Sequence, residues 1–178
     1  MTTTTMMVLV DTPVWSLALR RKPEQLSPRE RQLTETLAEL VRAGRVQLLG
    51  PVRQELLSGI REEAQVRKLR DYLRAFPEHP LEAGDYEEAA HMNNRCRAEG
   101  IAGSAIDFLI CAAAHRRGWT ILTTDRDFQN YASSCRCSYA RFRHRESSSA
   151  MFYERAIHKM GKWRPSFSKS RSEVTSMA

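Results

Sequence analysis

The sequence predicts an α/β protein in which helices cover both faces of a mostly parallel sheet of four to five strands. Short apolar runs of strand length alternate along most of the chain with segments whose apolar residues recur at helical spacing. The first such run, Met7–Val10, ends at an acid and is followed at once by residues that start helices. With 178 residues, the chain is long enough for one domain with a buried core.

The first half of the chain contains two predicted strands and four predicted helices. Thr12 is the expected N-cap of the first helix, and Ser27–Glu30 forms a capping box for the second. Val46–Leu49 is the second strand, and the short helix after it carries Glu55 in its first turn. Residues 61–76 place their apolar side chains on one stripe, which indicates an amphipathic helix.

The second half continues the alternation. A brief extended piece at residues 79–81 is an expected edge strand, and Asp85–Glu88 reads as a capping box that heads the next helix. Ser104 is the expected cap of the helix after that. Trp119–Thr123 is the third apolar strand, and Asp127 is the expected N-cap of a last helix.

Charge is distributed unevenly along the chain. Residues 135–178 hold ten Lys or Arg and three Glu, whereas residues 1–134 hold 18 basic and 18 acidic side chains. The net charge of +7 therefore belongs to the C-terminal part and does not identify what the neutral part binds. We interpret residues 1–134 as the domain. Residues 135–178 are a basic, serine-rich tail that is either disordered or the product of a reading-frame change near residues 131–134.

Cysteine content and hydropathy indicate the compartment. The four cysteines contain no CxxC pair, and no apolar run approaches the roughly 20 residues that a membrane-spanning helix needs. Cys135 and Cys137 have no second pair at zinc-like spacing. We therefore expect a reduced protein of the cytoplasm, with no membrane partner.

Four acidic residues stand where predicted strands turn into helices: Asp11, Glu55, Asp107 and Asp125. In a parallel sheet the strand ends and the starts of the returning helices lie at one edge, so these carboxylates are expected to converge. Close carboxylates repel each other, and a hard divalent cation such as Mg²⁺ or Mn²⁺ relieves that repulsion. Such an ion can activate a water molecule for attack on a phosphodiester.

Each acid also has a purely structural interpretation. Asp107 lies three residues after Ser104 and can belong to a capping box, and Glu55 can be a solvated surface residue. Asp11 and Asp125 each end an apolar strand, where packing gives no reason for an acid. They are the firmest candidates.

From about Met7 to Ala132 the chain resembles the PIN domain family, and in particular the VapC toxins of type II toxin–antitoxin modules. The resemblance rests on four motifs in their order and spacing: VLVDTPVW, ELLSG, GSAIDFLICAAAHRRG and ILTTDRDF. Similar proteins end with one apolar edge strand soon after the last motif. Here an arginine- and serine-rich segment follows instead.

The resemblance implies a PIN-like three-layer α/β/α fold and a metal-dependent endoribonuclease, a hydrolase that uses Mg²⁺ or Mn²⁺. It assigns the catalytic and metal-binding roles to the four acids named above, with Thr12 and Thr124 as hydroxyl groups that orient ligands or water. It also implies RNA products with a 5′-phosphate and a 3′-hydroxyl. The implied partners are a VapB-like antitoxin and a second copy of the chain.

Other functions remain open from the sequence. An altered C-terminus is compatible with a PIN-like module that binds antitoxin or RNA without cleaving it. The same acids can also serve a nuclease that acts on DNA. The basic tail is either a solvated appendage or a surface that holds RNA phosphates.

Overall fold

A three-stranded parallel sheet organises the computed structural model, which describes residues 6–76, 78–135 and 138–139. Strand β1 (Val8–Val10) lies in the centre, between β2 (Val46–Gln47) and β3 (Thr120–Leu122). Val8 lies opposite Val46 on one side and Thr120 on the other. The carboxyl end of β1, and with it Asp11, is therefore in the middle of the sheet edge.

A single parallel bridge extends the sheet on each side. Leu48 pairs with Glu78 beyond β2, and Ile121 pairs with Tyr139 beyond β3. The Ile121 N–H donates to the Ser138 carbonyl at 3.0 Å. The bridge at Glu78 lies one residue before the predicted edge strand at residues 79–81, and each addition is a single bridge, so the described sheet has three strands rather than four to five.

Seven α-helices lie in the described ranges: α1 (Thr12–Arg20), α2 (Pro28–Arg42), α3 (Gly50–Leu57), α4 (Glu63–Leu73), α5 (Ala83–Ala98), α6 (Ala105–Arg117) and α7 (Asp127–Cys135). The chain moves from β1 outward to β2 and then back across to β3. Because parallel crossovers are right-handed, these two connections place helices on opposite faces of the sheet. This is the predicted α/β/α layering.

Two groups of helices form these outer layers. α1 packs against α2 and α3, whereas α5 packs against α6 and α7. All three residues of β1 are buried, and among the largest buried side chains are Trp15 of α1, Phe108 of α6 and Tyr131 of α7. None of the helices in the described ranges combines the length and the hydropathy needed to cross a bilayer.

Helix caps agree with the sequence in two places. The Ser27 hydroxyl accepts from the Glu30 N–H, and the Glu30 carboxylate accepts from the Ser27 N–H, so the predicted capping box of α2 is confirmed. The same reciprocal pair joins Ser104 and Asp107 at the start of α6.

Three other predicted caps are wrong by one to three residues. Asp11 rather than Thr12 caps α1, because its carboxylate reaches the Thr12 N–H at 2.7 Å. The box of α5 joins Glu82 to Asp85, so Asp85 is its third helical residue and not its cap. Asp127 is the first helical residue of α7 rather than its N-cap, since the Gln129 N–H bonds to the Arg126 carbonyl.

A buried ion pair joins the start of α5 to the end of α6. The Arg117 guanidinium donates to both carboxylate oxygens of Asp85, at 2.6 and 2.8 Å, and the Asp85 side chain is fully buried. These hydrogen bonds lower the pKa of Asp85 to about 2. The pair fixes the relative position of two helices in one outer layer.

The predicted tail, residues 135–178, falls outside the described residues apart from Cys135, Ser138 and Tyr139. The expectations of disorder, of a changed reading frame and of a phosphate-binding tail therefore concern residues outside the described ranges.

Candidate active site

Asp11 occupies the junction between the central strand and α1. Its side chain is 5% exposed, and its two oxygens accept different donors. Oδ1 accepts from the Thr12 N–H at 2.7 Å, and Oδ2 accepts from the Thr123 hydroxyl at 2.6 Å. The backbone N–H of Asp11 donates to the Leu122 carbonyl, which ties the end of β1 to the end of β3.

Asp11 ionises at a higher pH than an ordinary aspartate. Burial raises its pKa from 3.8 to about 6, and the charges of Asp107 and Asp125 add to the rise, against the hydrogen bonds from Thr123 and Thr12. The fold therefore brings these three predicted acids within electrostatic reach of one another. A carboxylate in this state is stabilised by any cation that enters.

Thr123 links two of the acids. Its hydroxyl donates to Asp11 and accepts from the Asp125 N–H at 2.9 Å. Asp125 is exposed, and its Oδ1 accepts from the Asp127 N–H at 2.9 Å, at the start of α7. Thr124, the hydroxyl group that the resemblance pointed to, is exposed and makes no hydrogen bond with another described residue.

A signal in the sequence could have indicated Thr123. In extended backbone, side chains two residues apart project to the same side, so Thr123 and Asp125 were the better pair. The resemblance had implied Thr124, whose side chain projects to the other side of extended backbone.

Asp107 is held by two donors on a single oxygen. Its Oδ2 accepts from the Ser104 N–H at 3.2 Å and from the Tyr131 hydroxyl at 3.3 Å. Asp107 therefore forms the capping box of α6, and it also interacts electrostatically with Asp11. Tyr131 was not predicted as a site residue, because its spacing of three from Phe128 in α7 indicates only a core residue.

Glu55 is attached to the site through Thr12. The Thr12 hydroxyl donates to Glu55 Oε2 at 2.5 Å, across 43 residues of chain. Glu55 lies in the second turn of α3, not in the first as predicted, since the helix already begins at Gly50. Thr12, one of the two predicted orienting hydroxyl groups, therefore contacts a predicted site acid directly.

The site carries uncompensated negative charge. In the described ranges, none of the four carboxylates forms an ion pair with a Lys, Arg or His side chain. Glu55 Oε1, Asp107 Oδ1 and Asp125 Oδ2 accept no hydrogen bond from described residues. These free oxygens suit a hard divalent cation, which prefers oxygen ligands.

In the described residues, the four carboxylates do not lie close enough together to coordinate one metal ion. Within residues 6–76, 78–135 and 138–139, no group of three His, Cys, Asp or Glu side chains is arranged to hold a metal ion. The donor chemistry therefore fits a cation, whereas the coordination geometry is not preformed.

A groove of about 1070 Å³ opens beside Asp125. Thr123 and Asp125 line it, together with Arg29 at the start of α2 and Arg126 before α7. Both arginines are exposed, and neither pairs with a carboxylate of a described residue. The groove thus combines an acid of the site with cations that are available to a ligand.

Solved structures of three assemblies share this fold. FitAcB from Neisseria gonorrhoeae matches with a TM-score of 0.59 at 21% identity, covering 75% of this chain and 96% of that one. VapBC2 from Rickettsia felis, bound to a DNA fragment from its promoter, matches with a TM-score of 0.62 at 15% identity, covering 78% and 100%. VapBC-1 from nontypeable Haemophilus influenzae matches at 0.53 and 14% identity, covering 76% and 97%.

Sequence comparison agrees on the family. No curated protein matches the chain. The PIN domain family matches residues 8–133, a stretch that begins in β1 and ends in α7 and so contains all four acids. Since this match spans most of the chain and the sheet order and helix layers accord with it, the protein belongs to the PIN domain family.

Proposed function

We propose that this protein is a metal-dependent endoribonuclease and the toxin of a VapBC-type toxin–antitoxin pair. The observation that carries the proposal is the state of Asp11, a buried acid whose pKa is raised to about 6 beside Asp107 and Asp125. A protein rarely keeps uncompensated carboxylates together without a functional reason. Because the protein belongs to the PIN domain family, we propose that this function is the hydrolysis of nucleic acid.

Mg²⁺, or Mn²⁺ in its place, would be held by the carboxylates of Asp11, Glu55, Asp107 and Asp125. The ion would supply an activated water molecule and stabilise negative charge on the phosphodiester. The protein contributes orientation: Thr123 holds Asp11 and the backbone of Asp125, and Thr12 holds Glu55. The hydrogen-bonded oxygens fix each side chain, and the free oxygens remain for the cation.

The groove supports a polynucleotide substrate. A strand that passes Asp125 meets the guanidinium groups of Arg29 and Arg126, which can neutralise its phosphates. Arg29 also lies in the first turn of α2, where the helix dipole favours anions. We propose RNA as the substrate, since VapC-type proteins are ribonucleases. DNA is tested as the alternative.

The structural neighbours support a protein partner. The names VapBC and FitAB denote assemblies of two different chains, and two of the solved neighbours were bound to DNA. We propose a VapB-like antitoxin as the partner of this chain and a homodimer as its working form. The antitoxin would neutralise the protein by covering the acids.

Cleavage assays with matched acid variants test the proposal. Asp125→Asn and Asp11→Asn should abolish cleavage of single-stranded RNA in Mg²⁺, and EDTA should abolish cleavage by the wild-type protein. Asp127→Asn is the control, because Asp127 is exposed at the start of α7, two residues after Asp125, and is not one of the four acids. DNA of matching sequence should remain intact.

Three results would contradict this assignment. Retained cleavage by both acid variants would place the chemistry elsewhere. Cleavage of DNA in preference to RNA would favour the DNA-directed alternative. Tight antitoxin binding by a folded wild-type protein that cleaves neither substrate would favour the non-cleaving module.

A further inference from the structure

We infer that Tyr131 is a positioning residue that fixes the Asp107 carboxylate and reserves one of its oxygens for the cation. The inference rests on the proposed metal-dependent function and goes beyond it, because it adds a tyrosine that lies outside the acidic quartet. It concerns one hydrogen bond between α7 and α6 and the space that permits it.

The ring of Tyr131 is clamped in the core. Tyr131 is fully buried, with its ring centroid 5.1 Å from that of Phe108 and 5.5 Å from that of Phe128. A buried tyrosine needs a partner for its hydroxyl group. Since two aromatic neighbours hold the ring, the hydroxyl position is set by packing and not by the acid that it meets.

That hydroxyl reaches the Asp107 carboxylate. The Tyr131 oxygen lies 3.3 Å from Asp107 Oδ2 and 3.4 Å from the Ala102 carbonyl oxygen, and both of these atoms are acceptors. A phenol has one proton to donate, and a carboxylate is the stronger acceptor. The hydroxyl proton is therefore directed to Asp107.

Gly103 provides the space for this contact. A Cβ atom at residue 103 would lie 2.6 Å from the Tyr131 hydroxyl oxygen and 2.8 Å from the Phe108 ring. Any side chain at that position would displace one of these groups. The glycine of the GSAID motif thus allows the Tyr131 side chain of α7 to approach the acid.

The two carboxylate oxygens of Asp107 therefore differ in their hydrogen bonding. Oδ2 accepts from the Ser104 N–H and the Tyr131 hydroxyl, which approach from different elements, and Oδ1 accepts from no described residue. Two donors on one oxygen fix the rotation of the carboxylate plane. The ion would bind Asp107 through Oδ1 without first displacing a protein donor.

Mn²⁺ binding to the full-length protein tests the inference without relying on catalysis. In Tyr131→Phe the ring is kept and only the hydroxyl group is lost. We expect a roughly tenfold weaker Mn²⁺ affinity by calorimetry, the size typical of losing a hydrogen-bond partner of a metal ligand. In cleavage assays, a higher Mg²⁺ concentration should be needed for half-maximal rate, with the rate recovered at saturation.

Tyr72→Phe is the matched control. Tyr72 packs against Phe76 in the other helix layer, with ring centroids 5.6 Å apart, and its loss of a hydroxyl group should leave Mn²⁺ affinity unchanged. Thermal unfolding of both variants in EDTA reports any purely structural effect. A Tyr131→Phe protein that loses stability but keeps wild-type Mn²⁺ affinity contradicts the inference.

Two failures are distinguishable. If Asp107→Asn weakens Mn²⁺ binding and Tyr131→Phe does not, the role of Tyr131 is overturned and the proposed metal site stands. If the folded wild-type protein binds no Mn²⁺, the proposed function is overturned and this inference with it.

Discussion

The carboxylate of Asp11 has two roles. One oxygen accepts from the Thr12 N–H and caps α1, and the charged group interacts electrostatically with Asp107 and Asp125. A cap needs an acceptor but not a charge, so asparagine would satisfy α1 equally well. The charge therefore has to be explained by something other than the helix. Thr123 supports the same conclusion, since it donates to Asp11 from a buried position where an apolar residue would pack as well.

Thr123→Val is the first prediction. The valine keeps the shape of threonine but removes the donor to Asp11 and the acceptor for the Asp125 N–H. Leaving such groups unpaired costs about 1–3 kcal/mol, so we expect RNA cleavage to fall roughly tenfold or more. Thr124→Val, at the exposed neighbour, should leave the rate within roughly twofold. The reverse order of these two effects would restore the role first assigned to Thr124.

The pH dependence of stability gives the second prediction. The folded pKa of Asp11 is raised from 3.8 to about 6, so its contribution to stability is present below 3.8 and is lost as pH rises through 6. At about 1.4 kcal/mol per pKa unit, ionised Asp11 costs the metal-free fold about 3 kcal/mol above that range. In EDTA, Asp11→Asn should therefore be more stable than wild type at pH 8, and close to it at pH 3.

Chemical denaturation at the two pH values measures this difference. Asp127→Asn, an exposed acid near the site, should show no such pH-dependent gain. Added Mn²⁺ should remove the advantage of Asp11→Asn at pH 8, because the cation then stabilises the ionised wild-type carboxylate. An equal pH dependence in wild type and variant would mean that Asp11 ionises without a penalty.

Some residues of the candidate site can be predicted from the sequence and others cannot. Asp11, Asp107 and Asp125, which the fold brings within electrostatic reach of one another, were predicted because each acid stands at a strand end or a helix start at one edge of the sheet. Thr123 was missed because the choice between adjacent threonines depends on which side of the extended backbone faces Asp11. Tyr131 was missed because its hydroxyl meets Asp107 only after α7 has packed against α6, a contact that no local pattern encodes.

The helix caps show which sequence signals predict the start of a helix reliably. Serine at an N-cap with an acid three residues later predicted the starts of α2 and α6 correctly. Glu82 was not predicted as a cap, since glutamate is not among the preferred N-cap residues. Its box is stabilised from outside α5, because Asp85 of that box is buried against Arg117 of α6.

Removing Asp85 is the third prediction. Asp85→Ala leaves the Arg117 guanidinium, whose side chain is 13% exposed, without its main partner, and breaking a buried pair in this way costs about 3–5 kcal/mol. The Asp85 pKa is lowered to about 2, so this contribution is present above pH 4 and is lost as pH falls through 2. The free energy of unfolding, measured by denaturation, should therefore differ more between Asp85→Ala and wild type at pH 7 than at pH 3.

Glu82→Gln is the control for this element. Glu82 is 69% exposed and lies 3.6 Å from Arg116, and glutamine keeps an oxygen that can accept the capping bond. We expect a change of less than about 1 kcal/mol. A loss as large as that of Asp85→Ala would mean that the cap, and not the buried pair, stabilises the start of α5.

For the whole molecule, charge and chemistry occupy different parts of the chain. The equal numbers of acidic and basic residues in 1–134 include all four site acids, while the net charge of +7 belongs to residues 135–178. The order of the sheet was not predictable in detail, because short apolar runs do not say which strand is central. The parallel direction was predictable, since a helix separates each strand from the next.

Shortening the chain at residue 143 is the fourth prediction. This variant keeps Tyr139 and its bridge to Ile121, and it removes seven Lys or Arg and three Glu. Because the acids and the described groove are retained, Mg²⁺-dependent RNA cleavage at low salt should stay within roughly threefold of the full chain. Affinity measured across a salt series tests the tail separately: a flatter dependence would show that the tail contacts phosphates.

The hydrogen bond from Thr123 to Asp11 joins residues that are 112 positions apart in the chain. Every residue between them must be synthesised before the third strand can dock beside the first. Contacts of such long sequence separation form late in folding, because the loop that they close has a large entropic cost. A nascent or partly folded chain therefore holds Asp11 without its orienting hydroxyl, and the proposed chemistry would arise only when the fold is nearly complete.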